Sequence, residues 1–164
     1  FKFMAITTIL CDVLDNQRNL TKWYLKKVPL EVFQERIEAN GVQFNSPHWI
    51  VGHLIWTDFY IGLNPLGYSS KEPDWINEVG FGSSGELPKS MPSITDTLAY
   101  FDDVHARKLD FLKSLDDEIF EKPYALKALG FKNNYYALLH LARHEGVHVG
   151  GIATFCKFKG IKTV

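Results

Sequence analysis

The segment RHEGVHVGG, residues 143–151, contains the side chains of this sequence that are best suited to chemistry. His144 and His148 are four residues apart, and such positions on a helix differ by only about 40° of rotation, so both imidazoles can bind one ion. Neutral imidazole is a good ligand for Zn²⁺ and Ni²⁺. With Glu145, the string HEGVH also matches the HExxH motif of zinc peptidases, whose glutamate is the general base. The spacing therefore indicates a metal site and raises peptidase chemistry as one hypothesis.

The residues that follow His148 argue against a peptidase. The final stretch, VGGIATFCKFKGIKTV, has no His, Asp or Glu that could supply the downstream third ligand. No strand-rich lobe is predicted that could hold an extended peptide by edge pairing. Glu145 lies about 100° around the helix from His144, which favours a position on the flank of the helix. The peptidase therefore ranks last among the hypotheses, and the role of Glu145 stays open.

A third ligand is expected upstream, and His53 is the best candidate. It shares a helical face with Trp49, Trp56 and Tyr60, the bulky aromatic face that should point inward. Helical bundles build metal sites from side chains on facing helices. Three protein ligands would leave one coordination position open for water or substrate, as in catalytic zinc sites. The three aromatic side chains are the candidate lining of the pocket beside such a site.

Four other polar residues are less informative. His48 stands at a helix start and is expected at the surface or as a cap, whereas His105 is expected to be a hydrogen-bonded core histidine. His140, one turn earlier on the last helix, has no role that the sequence assigns. Asp58 is the only acid of the second helix; it could hydrogen-bond a histidine, but a solvated position on the helix flank is favoured.

Four segments have the hydrophobic periodicity of helices. The first, about residues 5–27, has an apolar stripe that includes Leu10, Val13 and Leu20. The second spans about residues 46–63 and begins with Ser46-Pro47, a good N-cap followed by Pro at the first helical position. The third begins at Ser93 and has a stripe that reaches residue 112, and the fourth spans about 133–158. Four amphipathic helices indicate an all-α four-helix bundle.

The connections between these segments are of two kinds. Residues 30–37 are expected to form a short extra helix that stops at Asn40-Gly41. Residues 67–92 are rich in Gly, Pro and Ser and are predicted to form a long loop, with at most a short helix near Trp75. A loop of this length is often functional, and it is expected to cover the site and select the substrate. No segment alternates as a strand would.

Composition limits the class of protein. The 164 residues are 46% apolar and carry a formal net charge of −1, which fits one domain, residues 1–164, and gives no broad electrostatic attraction for nucleic acid or anionic membranes. No segment is long and apolar enough to predict a membrane span, and FKFMAITTIL lacks the pattern of a signal peptide. Two distant cysteines without CxxC spacing favour reduced thiols, and a cytoplasmic location is expected.

Two elements of the sequence resemble the DinB-like (DinB/YfiT-like) superfamily. They are Ser-x-x-Trp-x-x-x-His-Leu at Ser46, Trp49, His53 and Leu54, and His-x-x-x-His-x-Gly-x-Ile at His144, His148, Gly150 and Ile152. The resemblance implies a four-helix bundle of up-down-down-up topology. It also implies that His53, His144 and His148 hold a divalent metal ion, Zn²⁺ or Ni²⁺. The family often has Gln where this chain has Gly151, and Gly150 and Gly151 are expected where a helix or ligand approaches closely.

The same resemblance implies a function. Characterised relatives include transferases that join a small thiol, such as bacillithiol or mycothiol, to an electrophile, and a mycothiol-dependent isomerase. A thiol-dependent S-transferase, or a related hydrolase or isomerase, is therefore the expected activity, with a small-molecule thiol and an electrophile as partners. Homodimers are common in the family, so a homodimer is expected. The alternative from another class is a non-enzymatic stress-response bundle that binds a metal or ligand.

Overall fold

The computed structural model describes residues 5–163, and the predicted domain, residues 1–164, extends beyond them at both ends. In chain order the helices are α1 (Ile6–Leu25), α2 (Pro47–Thr57), α3 (Trp75–Glu78), α4 (Ile94–Lys113), α5 (Glu118–Glu121) and α6 (Asn134–Phe158). A π-helical segment, Asp58–Leu63, continues α2. Short 3₁₀ turns lie at Leu30–Val32, Asn64–Leu66 and Lys127–Leu129. All four predicted long helices are present.

Local capping explains where the long helices begin. The side chains of Ser46, Ser93 and Asn133 each accept a hydrogen bond from the backbone N–H three residues on, so α2, α4 and α6 begin where the sequence predicts. Helix α1 begins differently, because Ala5 has no side chain that can cap it. Asp117, from the connection after α4, instead accepts hydrogen bonds from the backbone N–H groups of Ile6 and Thr7.

Contacts between the helices give their directions. The Lys22–Asp102 ion pair and the Asp15–His105 hydrogen bond run in opposite order along α1 and α4, so these helices are antiparallel. Helices α2 and α4 are parallel, because His48 contacts Thr97 near their starts and Asp58 contacts Lys108 near their ends. The early residues of α1 and α6 share one apolar cluster, and their late residues share another. These relations confirm the four-helix bundle of up-down-down-up topology.

A layer of charged residues separates the two apolar clusters of the core. On α1, α4 and α6, one buried charged residue falls between the positions that belong to the two clusters: Arg18, Lys108 and Glu145. Asp58, just after the end of α2, joins this layer through its ion pairs with Arg18 and Lys108. The two positive and two negative charges balance. Buried charges are tolerated when they are paired and hydrogen-bonded, as these are.

The buried face of α1 differs from the predicted stripe. Val13 and Leu20 are exposed, whereas Leu14 and Leu25 belong to the core together with Arg18. A stripe chosen for apolar side chains passes beside Arg18, whereas in the structure Arg18 is buried on the inward face, where two carboxylates pair with it. The predicted stripe is therefore wrong from Val13 onward, where the buried positions lie about one residue later in the sequence than the predicted ones.

The connections also correct two predictions. Residues 30–37 form one 3₁₀ turn instead of a helix, and a hairpin of two-residue strands, β1 (Glu38–Ala39) and β2 (Val42–Gln43), follows it. Asn40 and Gly41, both with positive φ, make its turn. The strands are too short to produce an alternating pattern. The predicted loop 67–92 does contain a short helix at Trp75, and this segment packs on α2, where Gly52 leaves room for Met91.

Cys11 and Cys156 are buried and form no disulfide. Within residues 5–163, no helix combines the length and the apolar character that crossing a membrane requires.

Candidate metal centre

Three histidines from two helices meet at one point of the bundle. His53 comes from α2, and His144 and His148 come from successive turns of α6. One ligating nitrogen of each lies within 4.8 Å of the other two. The ring centroids are 4.6–5.2 Å apart, so the rings converge without stacking on one another. The structure thus brings together the three residues that the sequence singled out as candidate ligands.

The protonation of His53 is fixed by a backbone carbonyl. Its Nδ1 lies 2.7 Å from the carbonyl oxygen of Val79, which can only accept a hydrogen bond. Nδ1 therefore carries the proton in the neutral ring, and Nε2 keeps a free lone pair. Metal-binding histidines commonly donate their second N–H in this way, which fixes the tautomer and the orientation of the ring.

The Nε2 atom of His144 faces the Nε2 atom of His148. Their Nε2 atoms are 3.2 Å apart. Two nitrogens bound to one tetrahedral zinc at about 2.0–2.1 Å would be about 3.3 Å apart, so the spacing suits a shared ion. Nδ1 of His144 is buried and has no hydrogen-bond partner among residues 5–163. The chain therefore fixes the tautomer of His53 but not that of His144.

Burial keeps these rings neutral. It lowers the pKa of His144 to about 4 and that of His148 to about 3, with further lowering from the neighbouring histidines. Burial also lowers the pKa of His53, although the hydrogen bond to Val79 acts in the opposite direction. Imidazole binds a metal only through an unprotonated nitrogen. All three side chains are thus in the ligating form at neutral pH.

A column of stacked aromatic rings holds His53. Its ring lies between Trp49 and Trp56, with centroids at 4.8 and 5.5 Å, and Tyr60 stacks on Trp56 at 4.6 Å. Trp56 and Tyr60 line an open cavity of about 580 Å³, as predicted. Trp49 does not reach the cavity wall, because it is buried behind His53.

The cavity adjoins the three-histidine cluster. His53 and His144 lie on its wall, and the other sides come from the long loop, from the connection before α6 and from α6 itself. Phe81 is the loop's contribution, and its side chain is 93% exposed. Gly80, beside it, has no room for a side chain, because a Cβ there would lie 2.8 Å from the indole of Trp56. The loop therefore contacts both the candidate ligand His53 and the cavity. Its role in covering the site and selecting the substrate stays a prediction.

Glu145 and Asp58 belong to the buried charged layer and not to the cavity. Glu145 accepts hydrogen bonds from Arg18 Nε at 2.8 Å and Thr21 Oγ1 at 2.6 Å. Asp58 accepts from Arg18 at 2.8 Å and from Lys108 Nζ at 2.5 Å. The predicted flank positions of both carboxylates are therefore wrong. Because Glu145 is committed to Arg18, it is not free to act as the base of a peptidase.

In the charged layer, pairing opposes the effect of burial on the pKa values of Asp58 and Lys108. Burial by itself would raise the pKa of Asp58, but the charges of Lys108 and Arg18 outweigh it and hold this pKa below its usual value. Burial lowers the pKa of Lys108, and Asp58 opposes that effect. The sequence did contain a signal for this layer, since Arg18 and Lys108 interrupt apolar positions of their helices.

The remaining histidines have separate roles. His48 is buried, and its Nε2 lies 2.9 Å from Thr97 Oγ1, so the expectation of a surface or capping residue is wrong. His105 is a buried histidine that hydrogen-bonds Asp15 at 3.0 Å, in agreement with its prediction. His140 lines the cavity, but it is outside the three-histidine cluster.

No close contact within the described residues requires glycine at position 150 or 151. A Cβ at Gly150 would meet no atom within 4 Å, and one at Gly151 would be 3.7 Å from Ile50, an ordinary contact distance. The expected close approach of another helix is therefore not found among residues 5–163.

Comparison with known proteins identifies one family. The sequence matches the model of the DinB superfamily over residues 14–152, a span that contains all three clustered histidines. No curated protein is similar enough to match the chain.

Proposed function

Because the chain belongs to the DinB superfamily, we propose that it is a metal-dependent transferase that joins a small thiol to an electrophile. In this proposal His53, His144 and His148 hold one divalent ion, Zn²⁺ or Ni²⁺. The observation that carries the proposal is the convergence of three neutral imidazoles beside an open cavity. Three protein ligands with one free position are typical of catalytic rather than structural zinc sites.

The residues present fit such an ion. The donor set is entirely nitrogen, which suits zinc and nickel better than calcium or magnesium. His53 already has its Nδ1 proton bound by the carbonyl of Val79, so its lone pair is available without rearrangement of the hydrogen. The buried charged layer is balanced internally, so this layer adds no net positive charge that would repel a metal ion.

The chain's own groups would orient the ligands and shape the space for the reactants. Trp49 and Trp56 enclose the ring of His53 from both faces, which restricts its rotation. The carbonyl of Val79 orients the same ring within its plane. Trp56 and Tyr60 present apolar surface to the cavity, where they would exclude water from bound reactants.

A bound divalent ion supplies a Lewis acid that lowers the pKa of a thiol at its open position. In the overall transfer, the S–H bond breaks and its proton passes to solvent. The sulfur then forms a C–S bond with the electrophilic carbon, and the leaving group departs with its bonding pair. The cavity of about 580 Å³ lies within the range of small-molecule sites and has room for the electrophile.

One observation argues against a hydrolase and leaves a non-enzymatic ligand-binding bundle as the second candidate. No carboxylate of the described residues lines the cavity, so a carboxylate general base for hydrolysis is not provided there. Thiol transfer does not need such a base if the thiol is already ionised. The absence of turnover despite bound metal would therefore favour the binding function over both the transferase and the hydrolase.

The test is a coupled measurement of metal content and thiol transfer. The protein is reconstituted with Zn²⁺ or Ni²⁺ and assayed with bacillithiol or mycothiol and monochlorobimane, whose thioether product is fluorescent. We expect a rate above the uncatalysed reaction that is lost on chelation and in the His144→Ala, His148→Ala double variant. A metal-loaded protein with no rate above background for either thiol would contradict the transferase.

A further inference from the structure

The cavity beside the three-histidine cluster is lined by four aromatic side chains. Trp56, Tyr60, Phe81 and Phe131 all lie on its wall. Phe81 is almost fully exposed, so it would lose much of this exposure when a ligand occupies the cavity. Aromatic rings prefer to stack on or pack edge-on against other planar groups. The interior therefore suits a ligand with a planar apolar body.

One side of this aromatic interior carries an unpaired cation. Arg143, on α6, lines the cavity, and no acidic side chain of residues 5–163 forms an ion pair with it. The buried arginine, Arg18, in contrast, is paired with two carboxylates. A guanidinium has five N–H donors in a planar fork, which matches the two oxygens of a carboxylate.

The neighbour of Arg143 adds a further donor. An Arg143 guanidinium nitrogen lies 2.7 Å from His140 Nδ1, and because arginine can only donate, Nδ1 must be the acceptor. Neutral His140 then carries its proton on Nε2. The pair as a whole therefore offers N–H groups and no free acceptor. A neutral amide or alcohol would satisfy these donors less well than an anion would.

From these observations we infer that the cavity binds a planar aromatic or conjugated carboxylate, with its ring among the four aromatic side chains and its carboxylate on Arg143. The inference rests on the proposed function only in assigning this ligand the part of the electrophile. Binding itself is a property of the cavity and does not require the metal. Arg143 is then the residue that determines specificity for an anion.

Two probes of nearly equal shape test the inference: trans-cinnamate and its neutral amide, trans-cinnamamide. Dissociation constants are measured by amide-shift titration in NMR, with metal-free and zinc-loaded protein. We expect cinnamate to bind about two- to fivefold more tightly than the amide in both forms, since an ion pair with an exposed arginine contributes up to about 1 kcal/mol. The shifts are expected at cavity residues.

Three variants locate the source of the discrimination. Arg143→Gln should abolish the preference for cinnamate while leaving the affinity for the amide unchanged. Lys157→Gln removes the same charge from an exposed position of the same helix, outside the cavity, and should leave both affinities unchanged. Phe81→Ala should weaken both probes by the same factor, because it removes apolar surface and no charge.

The outcomes separate this inference from the proposed function. Equal binding of the two probes, or a preference that survives Arg143→Gln, would overturn the inference. A preference that appears only with zinc and persists in Arg143→Gln would mean that the carboxylate binds the metal, and it would overturn the inference as well. A preference that depends on Arg143 in a protein that binds no metal would support the inference and contradict the metal-dependent function.

Discussion

His53 Nδ1 and the carbonyl oxygen of Val79 are joined by a hydrogen bond of 2.7 Å. The histidine belongs to a bundle helix, α2, and the carbonyl belongs to the long loop, residues 67–92, at the residue that follows α3. A loop backbone atom thus sets the tautomer of a candidate ligand. Because the acceptor is a main-chain group, substitutions at Val79 itself should matter less than changes that move the loop.

Gly80→Ala should move this loop. The added Cβ would lie 2.8 Å from the indole of Trp56, closer than real side chains approach, so the ring or the loop must shift. We expect zinc affinity to fall by about tenfold or more, as when other hydrogen-bond partners of metal ligands are disturbed. Competition with a chromophoric chelator measures the change.

Gly150→Ala is the matched control for that variant. A Cβ at this position would meet no atom within 4 Å, and alanine is the better helix former by about 1 kcal/mol. Zinc affinity should be unchanged, and the free energy of unfolding should be unchanged or raised. Equal zinc affinities in the two variants would contradict the role assigned to the loop.

Single alanine substitutions of His53, His144 and His148 should each prevent stoichiometric metal binding. Each removes one of the three converging nitrogens, and two ligands hold a divalent ion less firmly than three. His140→Ala is the control, since His140 has the same four-residue spacing on α6 but lies outside the cluster. Elemental analysis after reconstitution at neutral pH gives the metal content. Retention of one ion per chain by the His53 variant would rule out the three-histidine site.

Glu145→Gln distinguishes a structural glutamate from a catalytic base. The substitution leaves Arg18 and Lys108 buried with only one carboxylate, and breaking a buried ion pair costs about 3–5 kcal/mol. We therefore expect a large loss in the free energy of unfolding, measured in urea, with metal stoichiometry retained. The exposed Glu121→Gln should change stability by less than about 0.5 kcal/mol. Chelator-sensitive peptide cleavage that disappears in Glu145→Gln would instead support a peptidase.

The metal-free protein should lose stability in mild acid. Burial lowers the pKa of His48 to about 4, so between pH 6.5 and 4 the unfolded chain binds a proton that the folded chain resists. The free energy of unfolding therefore falls as the pH falls through this window, by up to about 1.4 kcal/mol per pH unit for one such group. His105, with a pKa of about 4, acts in the same direction.

His48→Gln isolates one contribution to this pH dependence. Glutamine cannot take up the proton, so the decline between pH 6.5 and 4 should become shallower although stability at pH 7 is reduced. Urea midpoints at pH 7, 6 and 5, with a chelator present, measure the slope. An unchanged slope would mean that His48 does not titrate in this range.

The features that the sequence predicts best are local. The caps at Ser46 and Ser93 depend on neighbouring residues, and the spacing of His144 and His148 follows from helix geometry alone. The bundle follows from four such helices, and the choice of His53 needed only its aromatic face. Each of these inferences requires no knowledge of which helices touch.

Features that depend on contacts between residues distant in sequence could not be predicted. Asp58 and Glu145 were expected on flanks because nothing local marks their partner, Arg18, which lies at least 40 residues away along the chain. Likewise, the position of His48 at a helix start suggests a capping residue, because its contact Thr97 is distant in sequence. A charged residue within an apolar stripe, as at Arg18, is the one signal that could have indicated a buried polar layer.

The parallel and antiparallel arrangement of the helices places ligands that are about 90 residues apart in sequence at one point in space. During synthesis at about 5–20 residues per second, His53 would be added to the chain about 5–18 s before His144. A growing chain therefore cannot form the three-nitrogen site before α6 has been made. Binding of a metal ion by these three side chains would consequently follow the synthesis of α6, long after that of α2.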